Sequence, residues 1–400
     1  MKAVVLGAAL TIALCACGGP EATAPKDYPC PDGTRVPQAS MCKTSQVTQP
    51  EPTTAPPSTT VAVTPPPTPN DALPPPKPTT IPLAKTGDEK LDAMLAEGDA
   101  AFEANDLAKA ATAYENAKKA FPKRAAPIVG VARVKVAKAA PTLGFASAEK
   151  NVDVIAASKE LQRAAEMEPN LGAAHVEYGR ALLLLGNAPQ AEAALRKGAR
   201  LLPEDAEARS ALGVALLATG KTEEALTELT KARDLDPGSA ARRGNLGTVL
   251  FMRGKVADAI KEYEVQARLA PDDARAHSDL GTALLAQSDF ARAIPELKKA
   301  IQLDPKRATF HSNLGYALQL EGKVSEAIAE YREAIKIDPK LASAWINLAT
   351  ALSRDPKTRA EARQALKTAE KLDPSDPRVK ANLEELDSLE KQGGAPPKKP

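Results

Sequence analysis

Three histidines are the side chains of this 400-residue chain best suited to bind a metal ion or transfer a proton. His175, His277 and His311 occupy equivalent places in a pattern with a period of 34 residues, and Trp345 fills the same place once more. Equivalent positions in separate structural units cannot converge on one metal ion. We therefore expect these rings to pack within the fold, and we predict neither a metal site nor a catalytic histidine.

A second set of polar residues follows the same period. Each comes directly before a leucine and a small residue, and the four are Asn245, Asp279, Asn313 and Asn347. A primary amide both donates and accepts hydrogen bonds, so a row of such side chains can bind the backbone of an extended peptide. The row is a candidate peptide-binding site. The alternative, with similar weight, is that it reflects only the residue preferred at this position of the repeat.

The rest of the sequence argues against catalysis and against nucleic-acid binding. It contains no phosphate-binding glycine loop, zinc-protease motif or nucleophile elbow. The formal net charge is +2 and aromatic residues make up 3% of the chain, so neither a strongly basic surface nor a set of base-stacking rings is expected. We predict a protein that is not an enzyme, needs no cofactor and binds no nucleic acid.

Prolines mark the elements that must position these residues. They recur at intervals of 34 residues, with 35 before the last, at Pro169, Pro203, Pro237, Pro271, Pro305, Pro339 and Pro374. A fixed period of 34 that ends in proline indicates a helix-turn-helix repeat. Segments such as TFHSNLGYALQLEGKVSEAIAEYREAIKIDP combine a large residue, Leu-Gly, a packing alanine and that proline, and so resemble the tetratricopeptide repeat.

The resemblance covers residues 91–376 and implies an all-α fold, a right-handed superhelical solenoid of eight repeats. The second repeat would be expanded by an insertion near 139–148, and a capping helix at 377–391 would precede a disordered tail at 392–400. In this family the first helices of successive repeats line a concave groove, so the polar row would lie on the binding surface. We expect Pro295, inside a second helix, to kink that helix or shorten its start.

The N-terminus resembles the signal of a bacterial lipoprotein. Residues 1–16 combine Lys2, a short apolar stretch and the sequence Leu-Cys-Ala directly before Cys17. The resemblance implies cleavage before Cys17, lipidation of that residue and anchoring in a membrane through its acyl chains. Because Gly18 stands where an inner-membrane retention signal would show aspartate, the expected location is the outer membrane of a Gram-negative bacterium, on its periplasmic face or at the cell surface.

Two further segments separate this anchor from the repeats. The lipidated N-terminus, 17–42, contains Cys30 and Cys42, the two cysteines that remain, and in an exported chain we expect them to form a disulfide that closes a small loop. The stretch 43–87 is rich in proline and threonine. We expect it to be a disordered linker and to act as a spacer between the membrane and the helices.

Together these features predict a membrane-anchored scaffold that binds partner proteins or extended peptides on its concave surface. Similarity to other repeat lipoproteins suggests work in pilus-secretin assembly or in the peptidoglycan machinery. Two alternatives from other classes remain open: a glycan-binding component of polysaccharide export or of the cell wall, and a non-catalytic accessory subunit of an enzyme complex. The oligomeric state is left open.

Overall fold

The described part of the structure is almost entirely helical. A computed structural model of the chain describes residues 28–29, 35–36, 80–139 and 151–393. Two short antiparallel strands, β1 (Tyr28–Pro29) and β2 (Arg35–Val36), pair Tyr28 with Val36 and form a unit of their own, separate from the helices. The helices are α1 (Glu89–Glu103), α2 (Leu107–Ala120), α3 (Ala125–Ala139), α4 (Val152–Met167), α5 (Gly172–Leu184), α6 (Ala188–Leu201), α7 (Ala206–Ala218), α8 (Thr222–Leu235), α9 (Ala240–Met252), α10 (Val256–Leu269), α11 (Ala274–Ala286), α12 (Phe290–Leu303), α13 (Ala308–Leu320), α14 (Val324–Ile337), α15 (Ala342–Leu352), α16 (Arg359–Leu372) and α17 (Pro377–Gly393).

The first sixteen helices form eight consecutive pairs, and α17 packs on the last pair. Each helix contacts its neighbours in sequence, and each odd-numbered helix also contacts the next odd-numbered one. Among the helices described, the even-numbered ones make no comparable contacts with each other. Because elements on the inside of a curved stack lie closest together, the odd-numbered helices form the inner face of the array. The all-α solenoid predicted from the sequence is confirmed.

The turn inside a pair uses a left-handed backbone conformation. The dihedral angle φ is positive at the same turn position in six pairs, at Asn105, Gly186, Gly220, Gly254, Ser288 and Gly322. After Gly220, for example, the N–H of Lys221 donates to the carbonyl of Leu216 at 2.8 Å. Glycine predominates at this position because it has no Cβ to oppose a positive φ.

A different glycine, the one in the Leu-Gly pair, allows the two helices of a repeat to approach closely. A Cβ placed on Gly213 of α7 would lie only 2.5 Å from Cγ of Leu229 on α8. Real side chains do not approach this closely, so the leucine fills the space that any larger residue would need. The close approach explains why a residue with poor helix propensity stands in the middle of a helix.

Six of the seven closing prolines are tied to the first helix of the following repeat. Each carbonyl oxygen bonds to a side-chain nitrogen six residues later, at 2.9–3.2 Å, in the pairs Pro169–His175, Pro203–Arg209, Pro237–Arg243, Pro271–His277, Pro305–His311 and Pro339–Trp345. The sequence predicted a packing role for the three histidines. The structure adds that each of them holds the link between two repeats through a hydrogen bond.

His277 shows how a histidine and an arginine serve this position alike. Its Nε2 faces the carbonyl of Pro271, while its Nδ1 lies 2.6 Å from Oε2 of Glu296 on the second helix. Arg243 bonds one repeat earlier to the equivalent proline carbonyl and, through Nη1, to Glu262 at 2.7 Å. Both ring nitrogens of His277 thus face the same two kinds of oxygen atom as the side-chain nitrogens of Arg243.

Pro295 does not shorten its helix. It lies inside α12, which has 14 residues, the same length as α10 and α14 in the neighbouring repeats. The side chain is exposed, and the missing N–H costs one hydrogen bond within α12. The expectation of a shortened start is therefore wrong.

The linker ends earlier than the sequence predicted. Residues 80–87 were expected to belong to the disordered stretch 43–87, but Ile81 and Leu83 are only 3% and 1% exposed and pack into the core of the helical array. Two aliphatic side chains separated by one residue do not alter the average composition of a long proline-rich stretch. For that reason an argument from composition did not detect them.

Several sequence predictions concern residues outside the described ranges. These are the lipidation site Cys17, the cysteines Cys30 and Cys42, most of the insertion near 139–148 and the end of the tail at 394–400. Within the ranges that are described, no helix has both the length and the apolar character needed to cross a membrane.

Exchanging His277 tests the bond to the proline carbonyl. His277→Arg should leave the free energy of unfolding within about 0.5 kcal/mol of wild type, because Arg243 makes both bonds at the equivalent position. His277→Ala removes the donor to Pro271 and the partner of Glu296, and should cost about 1–3 kcal/mol. Chemical unfolding followed by circular dichroism measures both, and equal losses in the two variants would contradict the hydrogen-bonding role.

Candidate functional site

The candidate site is the inner face, which is the surface formed by the odd-numbered helices. The predicted polar row lies on four consecutive inner helices, with Asn245 on α9, Asp279 on α11, Asn313 on α13 and Asn347 on α15. All four side chains are half-buried. The structure therefore brings together, one per repeat, the residues that the sequence selected.

The three asparagines of the row join neighbouring repeats through their amide nitrogens. Each Nδ2 donates to a buried serine on the inner helix of the preceding repeat, in the pairs Asn245–Ser210 at 3.1 Å, Asn313–Ser278 at 3.5 Å and Asn347–Ser312 at 3.4 Å. Asn313 also donates to Oγ1 of Thr282 at 3.3 Å. The asparagines therefore have a structural role, because they join neighbouring repeats. From the sequence alone, this alternative was visible only as a residue preference at this position of the repeat.

The amide oxygens of the same side chains are left over as acceptors. Within 80–139 and 151–393, no donor bonds to Oδ1 of Asn245, Asn313 or Asn347. A carbonyl oxygen accepts hydrogen bonds from N–H groups, and it can accept two. The row therefore presents acceptors that are oriented by the bond each amide makes to the repeat before it.

Asp279 differs from the other three because its neighbour in the preceding repeat is a glycine. Each asparagine follows a serine by 35 residues, but Gly244 stands at that distance before Asp279. The side chain of Gln266 fills the space over Gly244, and a Cβ there would lie 2.6 Å from its Nε2. In the described part of the chain, no hydrogen bond or ion pair reaches the carboxyl group. Burial raises the pKa of Asp279 to about 7, against the opposing effect of Arg275.

In the first half of the array, the inner face is filled by charged side chains that pair with one another. We call this set the charge chain, and its members, in order of contact, are Asp99, Arg133, Glu177, Arg180, Glu207, Arg242 and Asp236. Neighbouring members are 2.8–3.8 Å apart, measured from nitrogen to oxygen. The chain connects α1 to α9, so it crosses the first five repeats.

Burial and the neighbouring arginines act in opposite directions on the pKa values of two acids of the charge chain, Glu177 and Glu207. Burial alone disfavours the ionised form of Glu177, but the guanidinium groups of Arg133 and Arg180 outweigh it and lower the pKa of Glu177. At Glu207 burial prevails, and its pKa is raised although Arg180 and Arg242 lie nearby. Removing one member of such a buried set leaves its partner uncompensated, which typically costs about 3–5 kcal/mol.

The inner face therefore has two halves with different chemistry. The first half uses its charges to satisfy one another, whereas the second half presents half-buried neutral acceptors and one unpaired carboxyl. No group of three histidine, cysteine or acidic residues in the described ranges is arranged to hold a metal ion. The arrangement suits non-covalent binding of a ligand that carries hydrogen-bond donors.

Comparison with protein families identifies the repeat. Three family profiles, each described as a tetratricopeptide repeat, match residues 185–240 with 278–342, 216–280 with 318–386, and 92–124. Together they cover more than half of the chain. The protein belongs to the tetratricopeptide-repeat family. No profile matches residues 125–184. This stretch contains the insertion and three members of the charge chain, Arg133, Glu177 and Arg180. No curated protein sequence matches this one.

Solved structures of similar fold include the APC/C hetero-tetramer Cut9–Hcn1. That likeness has a TM-score of 0.58 and 17% identity, and it covers 76% of this tetratricopeptide-repeat protein and 57% of the other chain. PilF of Pseudomonas aeruginosa matches with a TM-score of 0.46 and 22% identity, over 54% of this chain and 97% of PilF. YrrB, a repeat protein with an unusual peptide-binding site, matches with a TM-score of 0.37 and 23% identity, over 48% of this chain and 97% of YrrB. The first of these shows the fold, and the other two support no further argument.

Asp279→Asn should change how stability depends on pH. The folded state raises the pKa of this carboxyl from 3.8 to about 7. The contribution of the protonated carboxyl to the free energy of unfolding is therefore complete below pH 3.8 and is lost as the pH rises towards 7. Asparagine occupies the same position in three other repeats and does not titrate. We therefore compare the free energy of unfolding of the variant with that of wild type at two pH values. The difference in favour of the variant should be larger at pH 8 than at pH 5, by the order of 1–3 kcal/mol. A difference that is the same at both pH values would contradict the burial of Asp279.

Proposed function

We propose that this protein is a non-catalytic scaffold that binds an extended segment of a partner protein on the inner face of α9, α11, α13 and α15. The observation that supports this most directly is the row of acceptors, which consists of three amide oxygens and the Asp279 carboxyl, one per repeat. Each amide is already fixed by its bond to the preceding repeat. Acceptors that are oriented in advance lose little freedom when a ligand binds, and this favours affinity.

The spacing of the row suits a peptide in extended conformation. Neighbouring packed helices lie about 8–10 Å apart, and an extended chain advances about 3.3 Å per residue. A peptide that crosses the inner helices would therefore present a backbone N–H to an acceptor at about every third residue. Asp279 lies within the row and has no bonded partner among the described residues. It favours a ligand that places a cationic or hydrogen-bond-donating side chain at that point.

The cellular setting of the scaffold is a proposal from the sequence. A lipid on Cys17 would anchor it in the outer membrane of a Gram-negative bacterium, and a disulfide between Cys30 and Cys42 would close a small loop next to the anchor. The proline-rich stretch up to Thr79 would serve as the spacer. A tethered peptide-binding array suits the assembly of envelope machines such as pilus secretins or peptidoglycan synthesis complexes.

Replacing the three asparagines tests the binding site. Peptides are first selected for binding to wild type from a random library displayed on phage, and their affinities are then measured by fluorescence anisotropy. Changing Asn245, Asn313 and Asn347 together to alanine should weaken binding at least about tenfold, because three acceptors for ligand N–H groups are lost. Affinity equal to wild type would exclude the row as the site.

A matched control separates binding from stability. Changing Ser210, Ser278 and Ser312 to alanine removes three of the four contacts that the asparagines make with the preceding repeat, leaving that of Asn313 with Thr282, and keeps the amide oxygens. This variant should lose stability to a similar degree and retain most of its peptide affinity. If both triple variants lose affinity equally, the asparagines only hold the helices together. Retention of wild type on polysaccharide gels, with no peptides selected, would favour the glycan-binding alternative instead.

The anchor is tested by Cys17→Ser in a Gram-negative host. We expect the variant to be recovered in the soluble fraction after cell disruption, because the acyl chains that hold wild type in the membrane cannot be attached. Metabolic labelling with an alkyne fatty acid gives a second measurement, and it should label wild type alone. Persistent membrane association of the unlabelled variant would contradict lipid anchoring at this residue.

A further inference from the structure

A short segment before the first helix is bound on the inner face as an extended peptide. It comprises residues 80–84. Ile81 and Leu83 are 3% and 1% exposed and Pro82 between them is exposed, while Thr80 is also buried and Ala84 is half-buried. Alternation with a period of two is the geometry of an extended chain that lies against a surface. Both aliphatic side chains belong to the apolar core of the array.

The segment runs antiparallel to α1. Oγ1 of Thr80 donates to Glu103 near the end of α1 at 3.2 Å, and the N–H of Leu83 donates to Asp99 at 2.7 Å. Further along, the N–H of Thr86 donates to Asp92 near the start of the helix at 2.8 Å. The acidic residues of α1 that it contacts recur at intervals of seven and four, so they lie on one side of the helix.

The backbone of the segment is recognised by two members of the charge chain. Oδ2 of Asp99 accepts hydrogen bonds from the N–H groups of Leu83 and Ala84, at 2.7 and 3.2 Å. Nη2 of Arg133, on α3, donates to the carbonyl of Ile81 at 2.8 Å. Arg133 itself pairs with Glu177 at 2.8 Å and with Asp99 at 3.5 Å. The two side chains that bind the peptide backbone, Asp99 and Arg133, are therefore oriented by their pairing within the charge chain. Bonds to backbone atoms do not depend on sequence, whereas the two buried side chains require aliphatic residues.

We propose that the inner face of α1 and α3 is a second peptide-binding site, selective for extended segments with aliphatic residues at two alternate positions, and that the segment 80–84 is its ligand within the same chain. This site shares no residue with the row from Asn245 to Asn347, so it stands independently of the function proposed above. Partner segments of the same kind would have to displace the internal one.

The short connection between the segment and α1 determines how strongly it competes. Only Lys85 to Asp88 separate Ala84 from the first residue of the helix. Such a short link gives an effective concentration of the order of 1 mM, so a free peptide with micromolar affinity is largely excluded. The internal segment therefore keeps the site closed until it is released.

The first test uses the full chain and a defined probe. A fluorescein-labelled peptide with the sequence of residues 78–87, PTTIPLAKTG, is titrated against wild type and against the double variant Ile81→Ser/Leu83→Ser. The variant should bind the probe about 100- to 1,000-fold more tightly, because its own segment no longer competes. A probe in which the isoleucine and leucine are serine should bind neither protein. Equal binding of the first probe to both proteins, or binding of the serine probe, overturns the proposal.

A second design leaves every core side chain in place, in case the double variant unfolds the first repeat. A recognition site for a sequence-specific protease is inserted after Gly87, which lies in an exposed turn with no atom within 4 Å of an added Cβ. After cleavage, the N-terminal fragment is held by the site alone. The labelled probe should then bind and displace the fragment, and the serine probe should not. If the cleaved protein fails to exchange its fragment for the probe, the segment is a permanent part of the fold and the proposal is wrong.

Discussion

The structure depends on contacts between each repeat and the next. One helix pair cannot bury its apolar side alone, so stability is gained only where neighbouring repeats meet. The contacts that define this junction recur with the period of the sequence. The proline carbonyl accepts a hydrogen bond from a side chain six residues later, as in Pro271 with His277. An asparagine amide on an inner helix donates to a serine on the preceding inner helix, as in Asn313 with Ser278. Both interactions are local in the array and are repeated along it.

The inner face combines this common frame with two kinds of surface. In the first half, the positions used for contacts between repeats hold arginine and acidic residues, and their mutual pairing leaves little charge for a partner. In the second half, asparagine and serine side chains join neighbouring inner helices instead, and the amide oxygens remain as acceptors. Asp279 lies where this second pattern lacks its serine, since Gly244 offers no hydroxyl group. The difference between the halves arises from which residues stand at the junctions and not from a change of fold.

The sequence predicted the repeats well because their physical causes recur in the sequence itself. Each closing proline stands directly after the C-terminal cap of a second helix, where it cannot extend that helix. The positive φ at positions such as Gly220 requires a glycine or a residue that tolerates it. Four of the residues now assigned to the candidate site were also found by their period. The serines that hold three of them could have been found as well, because each precedes its asparagine by 35 residues.

The charge chain and the bound segment could not be predicted in the same way. Arg133 and Glu177 are 44 residues apart, in an irregular part of the array, and their pairing follows no period. The segment at Ile81 has a composition that resembles the linker before it, and its order comes from contacts with α1 and α3. Features that depend on one particular junction require the structure, whereas features shared by all junctions are visible in the sequence.

The most direct measurement of the central claim is the position of a bound peptide. A peptide selected for binding, with a photo-reactive benzophenone at its middle residue, is irradiated in complex with wild type and the attached residues are identified by mass spectrometry. We predict attachment to the inner helices α9 to α15, centred on α11 near Asp279. Attachment to even-numbered helices, or to the charge-paired inner helices of the first half, would contradict the assignment of the binding surface.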